Sequence, residues 1–212
     1  MSAHPDRYRV GFDIGGTFTD FVLIDDGKLT VHKLLSSPDD PSVVAAQGAV
    51  EIASQPQTAV VHGTTVATNA LLERTGASTA LITTAGFEDV LEIGRQARTR
   101  LYDLEYQAPN PLVPGPLRLG VPERVGSTGE VIDALSDQAI EDVVTAIERL
   151  GIKSIAISLL FSFLWPAHEA SIREALVRRL PGVFVTASSD LLPEFREFER
   201  TSTTVVNSYV GP

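Results

Sequence analysis

The chain opens with three short apolar runs divided by tight turns. Residues 10–14 read as a buried strand, Gly15-Gly16 as a turn, and residues 21–24 as a second strand. Asp26-Gly27 then turns the chain into a third run, residues 29–35. Runs this closely spaced, with glycine at the reversals, predict an antiparallel meander. The pattern next changes to alternation. Helices are predicted over residues 41–53 and 65–74, strands over 59–62 and 79–83, and a short helix after Gly86. Ile140, Val143, Val144 and Ile147 share one helical face behind Ser136, a natural N-cap. Residues 153–160 and 183–186 read as strands, joined by a helix that Pro166 opens and Pro181-Gly182 closes. Residues 194–209 read as helical. Residues 109–122 hold five prolines and two glycines and read as an irregular surface excursion, a candidate lid. A three-strand start followed by alternating strands and helices predicts an α/β fold with a mixed sheet.

Composition narrows the function classes. A chain of 212 residues, 43% hydrophobic and 21% charged, can bury a sizeable core. Its net charge of -10 argues against a broad nucleic-acid surface. Backbone N–H groups can still hold a phosphate locally, whatever the global charge. The absence of cysteine excludes disulfides, thiolate metal sites and a cysteine nucleophile, and it fits a cytoplasmic protein. Residues 155–165 form the longest apolar stretch, broken by Ser158 and Ser162 and too short to span a bilayer. The first residues lack an apolar signal core.

The string Asp13-Ile14-Gly15-Gly16-Thr17-Phe18-Thr19-Asp20 carries the most chemistry. It joins two predicted strands, not a strand and a helix. Gly15 and Gly16 remove side chains where backbone N–H groups must approach an anion, and Thr17 and Thr19 add hydroxyl donors. Asp13, at the end of a buried strand, is placed to hold a magnesium ion or orient an attacking group, with Asp20 assisting. The same residues would also make a tight Gly-Gly hairpin with its turn amides satisfied. The chain has neither a P-loop nor a dinucleotide fingerprint.

A second string runs from His62-Gly63-Thr64-Thr65 through Asn69 to Arg74. It reads as a strand end, a turn and a helix N-terminus, with Thr64 and Thr65 available as caps. His62 falls at the strand's C-terminal end, where α/β sheets bind ligands; a capped helix beside a core histidine is the plainer alternative. Arg95, Arg98 and Arg100 form a positive cluster suited to a carboxylate or phosphate, or to a salt-bridged helix end. Glu194 and Glu197 share a helical face that reads as solvated, and residues 200–204 read as a cleft lining. His168-Glu169 reads as a cap or surface pair, because a zinc motif needs a second histidine.

The first string resembles the opening phosphate loop of the sugar kinase/Hsp70/actin superfamily. Taken with residues 62–74, 86–96 and 199–204, in that order, the chain resembles the hydantoinase/oxoprolinase family. That group includes N-methylhydantoinase A subunits, 5-oxoprolinases and subunits of acetone- and acetophenone-type carboxylases. The resemblance implies a ribonuclease-H-like, actin-like ATPase half occupying residues 8–190. It follows a flexible tail at 1–7 and precedes a helix, 191–212, leading toward a C-terminal half outside this sequence. It implies ATP and Mg2+ as cofactors and a cyclic amide or related carbonyl compound as substrate. Asp13, His62 and Asp20 would be catalytic, with Asp13 also the metal ligand. Gly15, Gly16, Thr17 and Thr19 would hold phosphate. Gly63, Thr64, Thr65, Asn69 and Arg95 would hold substrate. Implied partners are the C-terminal half and a hydantoinase B-type subunit, with self-association as a further possibility and neither nucleic acid nor membrane. A sugar kinase is disfavoured by the missing cysteine-rich zinc motif and the missing Glu-x-Gly-His string. A non-catalytic nucleotide-binding or assembly module is the remaining alternative.

One phosphate loop supplies one wall of a cleft, and nucleotide binding needs contacts from both sides. The 212-residue chain is therefore expected to bind ATP no tighter than about millimolar. Phe195, Phe198, Val205, Val206 and Tyr209 are expected to pack partly against another lobe, and their exposure would drive self-association. Calorimetry and light scattering test both expectations. Micromolar ATP binding by a strict monomer contradicts them.

Overall fold

The structure, a computed structural model, describes residues 8–37, 40–52, 59–97, 102–105, 107 and 109–212. Residues 1–7, read above as a tail, lie outside the described residues, as do Arg98 and Arg100. The chain divides into two units, Met1–Thr75 and Gly76–Pro212. The boundary expected from the family resemblance lies later, after residue 190.

The first unit holds β1 (Tyr8–Ile14), β2 (Phe18–Asp25), β3 (Lys28–Leu35), α1 (Pro41–Ile52), β4 (Ala59–Thr64) and α2 (Val66–Glu73). The sheet order is β3-β2-β1-β4. The β1–β2 and β2–β3 pairs are antiparallel and β4 joins β1 in parallel, so the meander and the mixed sheet are both present. At the β2–β3 turn, Asp26 and Gly27 have φ of 45° and 83°. Two positive values in succession suit the right-handed twist of a tight hairpin. Strand alternation buries Val10, Ile14, Phe21 and Leu23 on one face, where α1 lies. Gly48 of α1 rests directly on the Phe21 ring and leaves no room for a Cβ.

The second unit begins with β5 (Thr79–Thr84), α3 (Val90–Ile93), a 3-10 turn (Gly115–Leu117), β6 (Arg118–Val121), β7 (Arg124–Val125) and β8 (Val131–Asp133). It continues with α4 (Asp137–Leu150), β9 (Ser154–Ser158), α5 (Ala167–Arg179), β10 (Phe184–Ala187), α6 (Ser188–Leu191) and α7 (Glu197–Val210). Its main sheet, β10-β9-β5-β6, is wholly parallel, and β7–β8 form a small antiparallel ribbon. Every residue of β5 and β9 is buried, as a parallel sheet covered on both faces requires. Ile82, Ile155 and Ile157 pack with Val144, Ile147, Ile172 and Leu176. Ser136 caps α4 by accepting the Ala139 N–H at 3.2 Å, and left-handed Gly151 ends it.

Three expectations change here. Residues 109–122 form no lid: Val113 is fully buried and β6 pairs with β5. The Arg118 guanidinium donates to the Val113 carbonyl at 3.0 Å and pairs with Asp89 and Glu92 at 3.2 and 3.0 Å. A four-residue edge strand with a central glycine lacks the length that marks strands in sequence. In α7, Val205 and Tyr209 are buried within this unit, Tyr209 against Gly76, and only Phe195 of that group is strongly exposed. Arg200, Thr201 and Thr204 are likewise interior and line no cleft.

Acidic side chains account for the third change. Glu169, read as a surface cap, is fully buried and accepts the Leu159 and Ser189 N–H groups at 2.8 Å each and the Ser188 hydroxyl at 2.7 Å. His168 Nδ1 lies 2.8 Å from Glu123, whose other oxygen takes the Thr84 hydroxyl. These bonds gather the C-terminal ends of β5, β6, β9 and β10. Glu197, read as solvated, pairs with buried Arg200, which also donates to the Leu159 and Glu194 carbonyls. Burial raises the Glu197 carboxyl above the ordinary carboxylate range, against the opposing pull of Arg200.

Adding a methyl at Gly48 should overpack the α1–sheet contact. Gly48→Ala is expected to lower stability by about 1–3 kcal/mol, offset in part by about 1 kcal/mol of helix propensity. Urea unfolding of the variant measures the net loss, and an unchanged or raised midpoint contradicts it. Glu197 predicts a pH dependence. Its native carboxyl holds a proton above the pH at which the unfolded one releases it. This contribution is therefore complete below the ordinary carboxylate range and falls as pH rises through the raised value. Glu197→Gln should flatten that decline in unfolding experiments across mildly acidic pH. An identical slope in both proteins assigns the decline to other groups.

Candidate functional site

The β1–β2 connection is a three-residue loop, Gly15-Gly16-Thr17. Strand pairing brings its flanks together, with Ile14 opposite Thr19 and Asp13 opposite Asp20. The Gly15 N–H donates to the Phe18 carbonyl at 3.0 Å. A Cβ on Gly15 would stand 2.9 Å from that same oxygen, so the close turn requires glycine. Ser36, just beyond β3, donates its hydroxyl to the Gly15 carbonyl at 2.8 Å and its N–H to the Thr17 carbonyl at 2.9 Å. The Gly16 and Thr17 N–H groups have no partner among the described residues, and both residues are exposed. A Cβ on Gly16 would reach the Asn69 side-chain amide at 3.4 Å. A cleft of about 300 Å³ lies beside the loop, lined by Gly15, Gly16, Ser36, Ser37, Asn69 and Glu73 among others.

The sequence-selected residues distribute over two faces of this sheet. Parallel register sets Asp13 beside Gly63, and antiparallel register sets Asp20 beside both Asp13 and Lys33. This row crosses the face opposite α1. Asp13 is exposed and has no hydrogen-bond partner among the described residues. A Cβ on Gly63 would lie 3.3 Å from Asp13 Oδ1, so glycine leaves the carboxylate its space. Asp20 is paired with Lys33 at 3.0 Å, in an exposed setting where the pair adds little stability. His62 faces the other way. It stands beside Phe12 in the register and stacks on that ring, with centroids 4.6 Å apart. The structure does not bring His62 to Asp13.

The two threonines at the start of α2 take different bonds. Thr64 Oγ1 accepts the Val66 N–H at 3.2 Å. Thr65 instead donates its hydroxyl and its N–H to the Ile14 carbonyl, at 3.2 and 3.3 Å. That pair ties the first turn of α2 to the end of β1. Thr19, chosen as a phosphate donor, is fully buried with its hydroxyl 3.0 Å from Ser36. Arg95 belongs to the second unit, where it donates to Glu199 at 2.8 Å and holds that carboxyl below its ordinary range. Ser36 escaped the sequence reading. A serine pair after a strand is an ordinary turn signal, and only the strand register reveals which carbonyls it meets.

Among the described residues, no cluster of three His, Asp or Glu side chains could hold a metal by itself. No helix among them is long and apolar enough to cross a membrane.

Residues 9–180 match the family described as the hydantoinase/oxoprolinase N-terminal region. The caprolactamase α subunit of Pseudomonas jessenii is 37% identical over 219 residues, covering 97% of this chain and 32% of that protein. The crystal structure of the ATP-dependent caprolactamase from that organism superposes with a TM-score of 0.84 over the same shares. The acetophenone carboxylase γ subunit of Aromatoleum aromaticum is 34% identical, covering 95% of this chain and 31% of the relative. A nucleotide-free acetone carboxylase structure, 27% identical, gives a TM-score of 0.85 over 97% of this chain and 32% of that one. The chain thus spans about a third of the length of these relatives. A family match over most of the chain, with relatives at 34% and 37% identity, makes it a member of the hydantoinase/oxoprolinase family, corresponding to that family's N-terminal region.

Proposed function

We propose that this chain is the phosphate-binding N-terminal half of an ATP-dependent enzyme that activates a cyclic amide for ring opening. The observation that carries the reading is the pair of exposed N–H groups at Gly16 and Thr17, close in sequence to the Asp13 carboxylate, none of which has a partner among the described residues. Adjacent backbone donors in a tight turn form an anion cradle. The meander with β4 added in parallel supports assigning this half to the ribonuclease-H-like, actin-like ATPase class. The resemblance to an ATP-dependent caprolactamase supports the nucleotide.

In the proposed reaction the lactam carbonyl oxygen attacks the γ-phosphorus of ATP. The O–P bond forms, the bond to the β-phosphate oxygen breaks and ADP leaves. Loss of the amide proton gives an imidate phosphate. Water adds to its carbon and the C–N bond breaks, opening the ring. A second water releases inorganic phosphate and leaves the carboxylate. The chain's own contribution is positioning: Gly16 and Thr17 hold phosphate oxygens, and Asp13 orients the reacting groups. Mg2+ fits this arrangement, because it characteristically binds one or two carboxylates together with substrate phosphates. Asp13 would be its protein ligand, and the ion would neutralise charge on the transferred group. Asp20, held by Lys33, sets the electrostatics of the row. Gly63, Thr64, Thr65 and Asn69 are proposed to approach substrate at the start of α2.

The whole enzyme needs a C-terminal half and a hydantoinase B-type subunit. Relatives named as α and γ subunits support that multi-subunit arrangement. A ketone carboxylase is the second reading, favoured by the two carboxylase relatives. It shares phosphorylation of a carbonyl oxygen and diverges afterwards, when the enol phosphate is carboxylated. In the complete enzyme, Asp13→Ala should reduce ATP-dependent ring opening by at least about a hundredfold with the fold intact. Steady-state assays with a panel of lactams, paired with circular dichroism, check this. A variant that turns over at the normal rate removes Asp13 from the mechanism.

A further inference from the structure

The phosphate cradle works only if its N–H groups point outward, and the loop itself has little to enforce that. Gly15 and Gly16 carry no side chains and rotate freely about their backbone bonds. The orientation of the Gly16 N–H is set by one peptide plane, which it shares with the Gly15 carbonyl. No peptide bond in the described chain is cis, so these two groups point in opposite directions. Whatever holds the Gly15 carbonyl inward therefore aims the Gly16 N–H outward. That holder is the Ser36 hydroxyl, at 2.8 Å.

Resting on the phosphate-binding reading above, we infer that Ser36 is the positioning residue of the cradle and that Thr19 acts on phosphate only through it. Three observations converge. Ser36 supplies donors to two loop carbonyls, Gly15 through its hydroxyl and Thr17 through its N–H at 2.9 Å. A serine hydroxyl has one proton, and Ser36 spends it on Gly15. The Thr19 hydroxyl, 3.0 Å away and fully buried, must then be the donor to Ser36 Oγ. This second bond fixes the Ser36 rotamer. The resulting chain, Thr19 to Ser36 to Gly15, links β2, the end of β3 and the loop. Loss of the Ser36 hydroxyl leaves the Gly15–Gly16 peptide free to turn over. The turned peptide would present a carbonyl oxygen where the anion binds, replacing attraction with repulsion.

The test uses the 212-residue chain and two probes, inorganic tripolyphosphate and Mg-ATP, with amide NMR as the readout. Ser36→Ala should weaken binding of both probes about tenfold. It should shift the Gly16 amide resonance in the free protein and leave sheet amides such as Val10 unmoved. Ser36→Thr restores a hydroxyl and should bind within about threefold of the parent. Thr19→Val, which keeps the shape and removes the donor, should give an intermediate loss. Gly16→Val serves as the control for the cradle itself. If Gly16→Val abolishes binding while Ser36→Ala binds like the parent, the cradle stands and the role of Ser36 is overturned. If Ser36→Thr is as weak as Ser36→Ala, the hydroxyl is not the cause and the inference also fails. If the parent chain shifts no loop amide with either probe, the phosphate-binding reading falls and takes this inference with it.

Discussion

Strand β1 pairs antiparallel with β2 on one edge and in parallel with β4 on the other, and this double register dictates the candidate site. It places Asp13 in one row between Asp20 and Gly63, and it sends Phe12 and His62 to the opposite face. A slip of one residue in either pairing would exchange the two faces. The buried side chains prevent such a slip, since Val10, Ile14, Phe21 and Leu23 must all face α1. The polar row is thus positioned by apolar packing on the other side of the same strands. The loop inherits its place from the same constraint, because Ile14 and Thr19 close it as a cross-strand pair.

A different principle organises the second unit. Its parallel strands end together, and their terminal backbone groups need partners away from water. Buried side chains provide them. Glu169 takes the N–H groups of Leu159 and Ser189, and the Thr84 hydroxyl takes the Leu160 N–H at 2.9 Å. Arg200 donates to the Leu159 and Glu194 carbonyls and packs over the Phe163 ring. Buried charges of this kind are costly to orphan, so the cluster binds the β9–α5 connection to α7 through mutual dependence. Phe161, in that connection, holds a φ of 55°, a conformation that non-glycine residues adopt only under surrounding constraint.

Most of the fold was legible because its signals are local. The meander, the Asp26-Gly27 reversal, the Ser136 cap and the apolar runs of β5 and β9 each announce themselves within a few residues. What escaped depends on distant partners. The strand β6 is too short to show a period and exists because β5 offers it an edge. Glu169 and Arg200 look like surface residues until the backbone groups they satisfy are known. The site divides in the same way. Gly15, Gly16 and Asp13 were marked by the chemistry of adjacent residues, while the opposed directions of Asp13 and His62 follow from inter-strand register. Thr19 carried the right residue type, and the structure turns its hydroxyl inward to Ser36.

The central claim is that the Gly16 and Thr17 N–H groups receive phosphate. Titrating the isotopically labelled chain with Mg-ATP, while following every backbone amide, tests it most directly. Saturable shifts are expected, largest at Gly16 and Thr17, with smaller ones at Asp13 and Asn69 and little change in α4 or β9. Shifts centred elsewhere, or a loop that stays silent at tens of millimolar nucleotide, would contradict it.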